Sequence, residues 1–278
     1  MAQTSRKSSS LSIEDLTVTF GQGASAATVL NAVSMQVGAG RTVGLVGESG
    51  SGKSTIAKAI VGIVTPASGT IKVDDLDLAT VPKRDRSALR RTIQMIPQDP
   101  YSSLSPRRTI GQTMAEAFDP VHGNVSKNRD QIAYWLELVR LDTDAMHRYP
   151  HQFSGGQRQR IAIARALAIE PEIIIADEIT SALDVSVQAE ILELVAKLRA
   201  ELNLTMLFIS HNLAVVRQVS DDVVVLYKGD VVEQSDSESL FTAPQHDYTR
   251  ALLAAVPGWL PRVQPGLTRS TQTATASK

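Results

Sequence analysis

Apolar and polar positions along the chain follow a strand-like period at the front, a helical period in the middle, and an alternation of the two afterwards. Leu11 to Phe20 alternates loosely and is rich in Val, Ile, Thr and Phe, which predicts a strand, and Gly21 to Thr28 reads as a small-residue loop. A second strand is predicted over Val33 to Val37, closed by a turn at Gly38 to Gly40. Thr42 to Val46 is a continuous apolar run of the kind buried on both faces of a parallel sheet. Ser54 to Val64 follows with Ile56, Ala59, Ile60 and Ile63 at helical spacing, and it stops before Pro66 and Gly69.

Between about Gln98 and Arg160 the strand runs fade and helical segments take over, as at Ile110 to Phe118 and Gln131 to Leu141, which predicts an inserted helical lobe. From Ile161 the pattern alternates again. Helices are predicted over Ile161 to Ile169, Val185 to Leu202 and Leu213 to Val219, with strands over Ile173 to Ala176, Thr205 to Ser210 and Val223 to Tyr227. That alternation marks an α/β fold with a parallel sheet. A Lys228, Gly229, Asp230 turn makes a hairpin, and a short helix is expected near Asp247 to Ala255. The folded domain is thus expected over residues 11–256, between a polar, mobile tail at 1–10 and a Pro, Thr, Ser and Gln-rich tail at 257–278 that reads as disordered.

Composition narrows the chemistry. With 278 residues, 43% apolar and 21% charged, the chain suits one large core with a small appended lobe. A net charge of −1 gives no reason to expect a nucleic-acid partner. The absence of cysteine removes disulfides, thiolate zinc sites, iron–sulfur clusters and cysteine nucleophiles. MAQTSRKSSS carries no apolar run of a secretory signal, and no segment approaches the ~18 uncharged apolar residues of a membrane span, so any membrane role is expected to come through a partner.

GESGSGKS, from Gly47 to Ser54, matches G-x-x-x-x-G-K-[ST] between a predicted strand and a predicted helix, the order a P-loop requires. In such a loop backbone N–H groups ring the phosphates of ATP, and the helix that follows adds its positive end. The ATP-binding set is Gly47, Glu48, Ser49, Gly50, Ser51, Gly52, Lys53, Ser54 and Thr55, with Lys53 on the β- and γ-phosphates and Ser54 on Mg²⁺. No internal repeat is visible, so there is one nucleotide module. IIIADE, from Ile173 to Glu178, is an apolar strand ending in two acids: Asp177 is placed to hold Mg²⁺ and Glu178 to orient or deprotonate the attacking water. FSGGQ, from Phe153 to Gln157, opens a basic and apolar helix with a second set of exposed amides. One chain does not need two such sites for one γ-phosphate, whereas a two-chain ATP sandwich does.

Together these motifs closely resemble the ATP-binding subunits of ABC transporters over about residues 11–256. The resemblance implies a P-loop NTPase (RecA-like) core, an N-terminal antiparallel β subdomain and a helical subdomain at about 98–160. It implies that Ser154, Gly155, Gly156 and Gln157 form a signature acting on ATP held by the opposite subunit. Gln98, in IPQDP, resembles the Q-loop glutamine that meets Mg²⁺ and water. Asp184 resembles the D-loop aspartate, His211 the catalytic switch histidine that touches the γ-phosphate, and Phe20 an aromatic that stacks on adenine. Singly, Gln98 reads as a turn residue, Asp184 as a helix N-cap and His211 as a strand-end histidine; their agreement in order reverses that reading. Arg84, Arg86, Arg90 and Arg91 read as a solvated helix face. One departure is Ile179, where the family usually has proline.

Within that family PQDPYSSLSP, YPHQFSGGQ, SALDVSVQ and above all HDYTRALLAAVP, from His246 to Pro257, resemble oligopeptide and dipeptide importers, a group that includes nickel importers. The implied partners are a second ATP-binding subunit, two permease subunits and, indirectly, an extracytoplasmic solute-binding protein. The implied location is the cytoplasmic face of the cell membrane. A soluble ABC ATPase without a permease is the alternative of a different class, though such relatives usually carry coiled-coil insertions or two modules. The signature and His211 count against a P-loop kinase or GTPase.

Overall fold

The structure is a computed structural model that describes residues 8–21, 23, 26–82 and 84–256; residues 1–7 of the tail expected at 1–10, and the tail expected at 257–278, lie outside them. The chain begins with strands β1 (Leu11–Phe20), β2 (Ala27–Val37) and β3 (Thr42–Val46). In β1 the buried positions are Leu11 and Ile13, then Leu16 and Val18: the alternation changes parity at Asp15, which has φ +50°. β2 repeats the device, with Leu30 buried, Ala32 at φ +46°, and then Val33, Met35 and Val37 buried. Both mark register shifts where the two strands pair antiparallel, and a bulge explains why the pattern looked loose. It also explains why the second strand reads as starting at Val33 when it starts at Ala27.

The first helix, α1 (Lys53–Ile60), is followed by β4 (Ser68–Val73), the two-residue β5 (Leu76–Asp77), α2 (Arg86–Thr92) and β6 (Ile93–Ile96). Of the last four only α2 is anticipated, by the helix face read over Arg84 to Arg91; β4, β5 and β6 are not predicted from the sequence. All are short, and β4 carries Gly69 inside it. The antiparallel sheet has the order β2-β1-β4-β5. Arg84, Arg86, Arg90 and Arg91 are exposed, the last three on α2, as expected of a solvated face.

The helical lobe contains α3 (Pro100–Ser103), α4 (Ile110–Phe118), α5 (Arg129–Leu138), two 3₁₀ turns at Thr143–His147 and Pro150–Gln152, and α6 (Gly155–Leu167). The boundary expected near residue 160 falls inside α6, because one continuous helix carries both the FSGGQ amides and the apolar stretch after them. Then come β7 (Ile173–Asp177), α7 (Val185–Leu202), β8 (Thr205–Ile209), α8 (Leu213–Val219), β9 (Asp222–Tyr227), β10 (Asp230–Asp236), α9 (Ser237–Thr242) and α10 (Asp247–Ala254). Of these α9 alone is unanticipated.

The second sheet has the order β10-β9-β3-β8-β7-β6 and is parallel except for the β9–β10 hairpin. Every residue of β3, β7 and β8 is buried, as their apolar runs require. Alternate side chains serve two cores. Val43, Leu45, Ile173, Ile175, Leu207 and Ile209 pack with α1 and the antiparallel sheet, whereas Ile174, Ala176, Met206 and Phe208 pack with the helical side. The carboxyl ends of β3, β6, β7 and β8 therefore share one edge of the sheet, where α/β proteins of this kind carry their sites.

The expected mobile tail ends earlier than residue 10. Ser9 is 2% exposed, and its hydroxyl contacts Asp74 at 2.8 Å and the Glu172 carboxylate, while its carbonyl accepts from Thr205 Oγ1 at 2.6 Å.

Candidate active site

The loop after β3 enters α1 at Gly52, which has φ +109° and gives no side-chain cap to the helix. Two walls shape it. A Cβ on Gly47 would lie 2.1 Å from the Leu226 carbonyl of β9, so the β9–β10 hairpin admits only glycine there. Gly229 N–H, in the hairpin turn, donates to Ser51 O at 3.1 Å. Lys53 is buried and its ammonium donates to Gly47 O at 2.9 Å and Glu48 O at 2.7 Å. Burial pulls its pKa below the ordinary lysine value, and Glu178, Asp177 and Glu48 oppose that shift.

Ser54 Oγ donates to Asp177 Oδ1 at 3.2 Å, joining the start of α1 to the end of β7. Asp177 is 4% exposed; burial raises its pKa and the Ser54 hydrogen bond works against the rise. Next to it, Glu178 sits at φ +46°, a left-handed conformation that costs a non-glycine residue about 1 kcal/mol or more. Its N–H donates to Ile209 O at 2.9 Å, its carbonyl accepts from Ser181 N at 3.1 Å and Ser181 Oγ at 2.9 Å, and Ile179 is sunk in the core behind it. The isoleucine found in place of the usual proline is therefore an apolar anchor for this turn.

Three predicted residues meet at one oxygen. Glu178 Oε2 accepts from Gln98 Nε2 at 3.0 Å and lies 3.2 Å from His211 Nδ1. Gln98 arrives from the loop after β6 and His211 from the loop after β8. The His211 loop is held by Asn212, whose N–H donates to Ser210 Oγ at 3.0 Å and whose side chain caps α8 through Ala214 N. The glutamate is 15% exposed and the histidine 57%, so the carboxylate is shielded while the imidazole faces solvent.

The features of the loop fit a bound polyphosphate and a hard cation. The first-turn amides of α1 lack a side-chain cap, and Ser51 Oγ is buried without a hydrogen-bond partner. Ser54 and Asp177 offer oxygen donors only, and the described residues hold no cluster of three metal-ligating side chains. That suits Mg²⁺, which is commonly held by one or two protein oxygens together with substrate phosphates.

FSGGQ is built as a second helix terminus. Ser154 caps α6 by accepting from Gln157 N at 3.3 Å, while the Gln157 side chain accepts from Ser154 N at 3.0 Å, a reciprocal capping box. Ser154, Gly155 and Gln157 are exposed, and Gly156 is buried, with room for no Cβ because Val187 Cγ1 would be 2.4 Å away. Among the described residues no hydrogen bond joins residues 154–157 to residues 47–55. Two arginines of the same helix, unremarked in the sequence, tie it to α3: Arg158 stacks 3.7 Å over the Tyr101 ring and Arg165 donates to Ser103 O. Only the three-dimensional fold brings those pairs together.

Asp184 caps α7 by accepting from Val187 N at 3.0 Å, and this bond with that from Ser186 Oγ holds its carboxyl below the usual range. Phe20, at the end of β1, is 46% exposed, so it is not an ordinary core phenylalanine.

The profile of the family described as "ABC transporter" matches residues 30–181, more than half of the chain. A di/tripeptide transport ATP-binding protein, DppF, of Pseudomonas aeruginosa is 47% identical over 232 residues, covering 82% of this chain and 71% of that one. An oligopeptide transport ATP-binding protein, AmiF, of Streptococcus pneumoniae is 44% identical over 248 residues, covering 88% and 80%. Among solved structures, a dimeric ATP-binding cassette in a post-hydrolysis state, bound to ADP and Pi, matches with a TM-score of 0.73 at 28% identity, over 82% of this chain and 98% of that one.

Proposed function

The chain belongs to the ABC transporter family as an ATP-hydrolysing cassette, and on that premise we propose that it powers the uptake of di- and oligopeptides. The observation that carries the catalytic part is the meeting of Gln98 and His211 on Glu178 Oε2, beside the Ser54–Asp177 pair. Glu178 serves as the base that orients and deprotonates the attacking water. Gln98 and His211 hold its carboxylate in place, and Lys53 and the loop amides bind the β- and γ-phosphates of ATP. Ser54 and Asp177, with Gln98 near by, would hold Mg²⁺, which when bound supplies positive charge against the phosphate oxygens. Phe20 provides an exposed aromatic face for adenine.

The exposed, capped end of α6 supports a head-to-tail dimer, in which Ser154, Gly155, Gly156 and Gln157 of one subunit close on ATP held by the other. Asp184, at the start of α7, lies at that dimer seam. Closure driven by ATP and reopening after hydrolysis then form the working stroke. Among the described residues no helix is long and apolar enough to cross a membrane. In this reading the stroke is passed to two permease subunits at the cytoplasmic face of the membrane, and a solute-binding protein delivers the peptide outside the cell. The names of the relatives at 44–47% identity support peptide as the solute.

Uptake of labelled dipeptides and of Ni²⁺ into cells lacking the gene tests the proposal. Peptide uptake is expected to fall and to return with the wild-type gene but not with Glu178→Gln. Unchanged peptide uptake with lost Ni²⁺ uptake would overturn the substrate assignment.

A further inference from the structure

We propose that Tyr248, on α10, is a positioning residue for the phosphate-binding loop, setting the orientation of the peptide unit that holds Lys53. This rests on the reading of Gly47–Ser54 as the loop that binds ATP. Glu48 N–H donates to the Tyr248 hydroxyl at 3.0 Å, across 200 residues of sequence. The same peptide unit carries the Gly47 carbonyl, which accepts from Lys53 Nζ at 2.9 Å. A trans peptide is planar with its N–H and C=O pointing opposite ways. Tyr248 on the N–H side therefore keeps the carbonyl turned toward Lys53, and a rotated peptide would lose both bonds at once.

The tyrosine is itself well placed. Its ring lies 4.2 Å, centroid to centroid, from that of Tyr227 at the end of β9, the strand whose Leu226 carbonyl walls Gly47. Glu233 of β10 accepts from Gln245 N at 2.8 Å and His246 N at 2.9 Å, fixing the entry to α10. His246 Nδ1 then caps that helix by accepting from Tyr248 N at 3.1 Å. Thr249 is fully buried beneath it. Burial also pushes the Tyr248 phenol up, so it stays neutral and accepts through a lone pair. Tyr248, in a stretch that the ATPase motifs left without a role, thus reaches the nucleotide loop.

The test is an equilibrium titration of the full-length chain with ATP and Mg²⁺, together with the kcat and KM of ATP hydrolysis and the nucleotide-free Tm. Tyr248→Phe keeps the ring against Tyr227 and removes only the hydroxyl. It is expected to raise the Kd and KM for ATP about threefold to tenfold, with kcat changed less than about twofold. Tyr227→Phe retains both rings and the Tyr248 hydroxyl and is expected to leave the Kd unchanged. An unaltered Kd in Tyr248→Phe would overturn the proposal, as would an equal loss in both variants or a loss matched by a fall in nucleotide-free Tm. Lys53→Ala separates the two levels: if it abolishes ATP binding while Tyr248→Phe does nothing, only the role of Tyr248 fails. If Lys53→Ala binds ATP normally, the reading of the loop fails and the proposal with it.

Discussion

Replacing Glu178 by glutamine isolates the chemistry of this site from its architecture. The carboxylate makes two contacts through Oε2, to Gln98 at 3.0 Å and His211 at 3.2 Å, and its side chain is 15% exposed. Glutamine has the same size, and its carbonyl oxygen can still accept from Gln98, so packing should survive. What is lost is charge and basicity. A positioned general base is worth about 10²–10⁴ in rate, so hydrolysis should fall by that factor, roughly 2.7–5.5 kcal/mol on the barrier. ATP binding should persist, because Lys53 and the loop amides are untouched. Stability at neutral pH should change little, because the like-charge contact with Asp177 that is relieved is set against the attraction to the buried Lys53 ammonium that is lost. Three measurements on one variant check this: phosphate release by the assembled transporter, ATP titration, and thermal melting. A residual rate within about tenfold of wild type would refute Glu178 as the base. Lost ATP binding would show instead that the amide had collapsed the three-residue contact.

Asp177→Asn should behave as a pH-dependent stabiliser. Burial holds the folded-state pKa of Asp177 above its unfolded value, so ionising it costs stability as pH rises from about 3.9 through the folded value. The variant should melt higher than wild type at neutral pH, with the advantage shrinking toward pH of about 3.9; a constant advantage would contradict the burial argument. Ser154→Arg in one subunit of a mixed dimer should block hydrolysis at the partner's loop more than at its own, and equal loss at both sites would reject the sandwich. Phe208→Ala, at a fully buried position in the central strand β8, should cost about 3–5 kcal/mol in denaturant unfolding; a loss under about 1 kcal/mol would mean the core collapses around the gap.

Much of this was legible in one dimension because each motif is local. A glycine loop, a strand ending in Asp177 and Glu178, and a serine opening a helix are set by neighbours within a few residues, and the apolar runs of β3, β7 and β8 announce strands buried on both faces. Where the reading fell short, the period was broken or the element was too short to have one. Bulges at Asp15 and Ala32 hid half of β2, β4 opens on Ser68 and Gly69 with only Ile71 and Val73 buried, and β5, β6 and α9 are two to six residues long with no countable period. Ser9 looked like tail because its partners, Asp74, Glu172 and Thr205, are 65 to 196 residues away.

The sequence by itself determined which chemical groups are present: the glycines, a lysine, two acids, a glutamine and a histidine in an order that names a phosphate-handling enzyme. Tertiary structure alone decided how they act on one another. Strand order brings the ends of β3, β6, β7 and β8 to one edge, and only there do Gln98 and His211 reach the same oxygen of Glu178, or Tyr248 reach the amide of Glu48. Hydrogen bonds depend on ångström distances, whereas a chain encodes its long-range distances only through the way its cores pack.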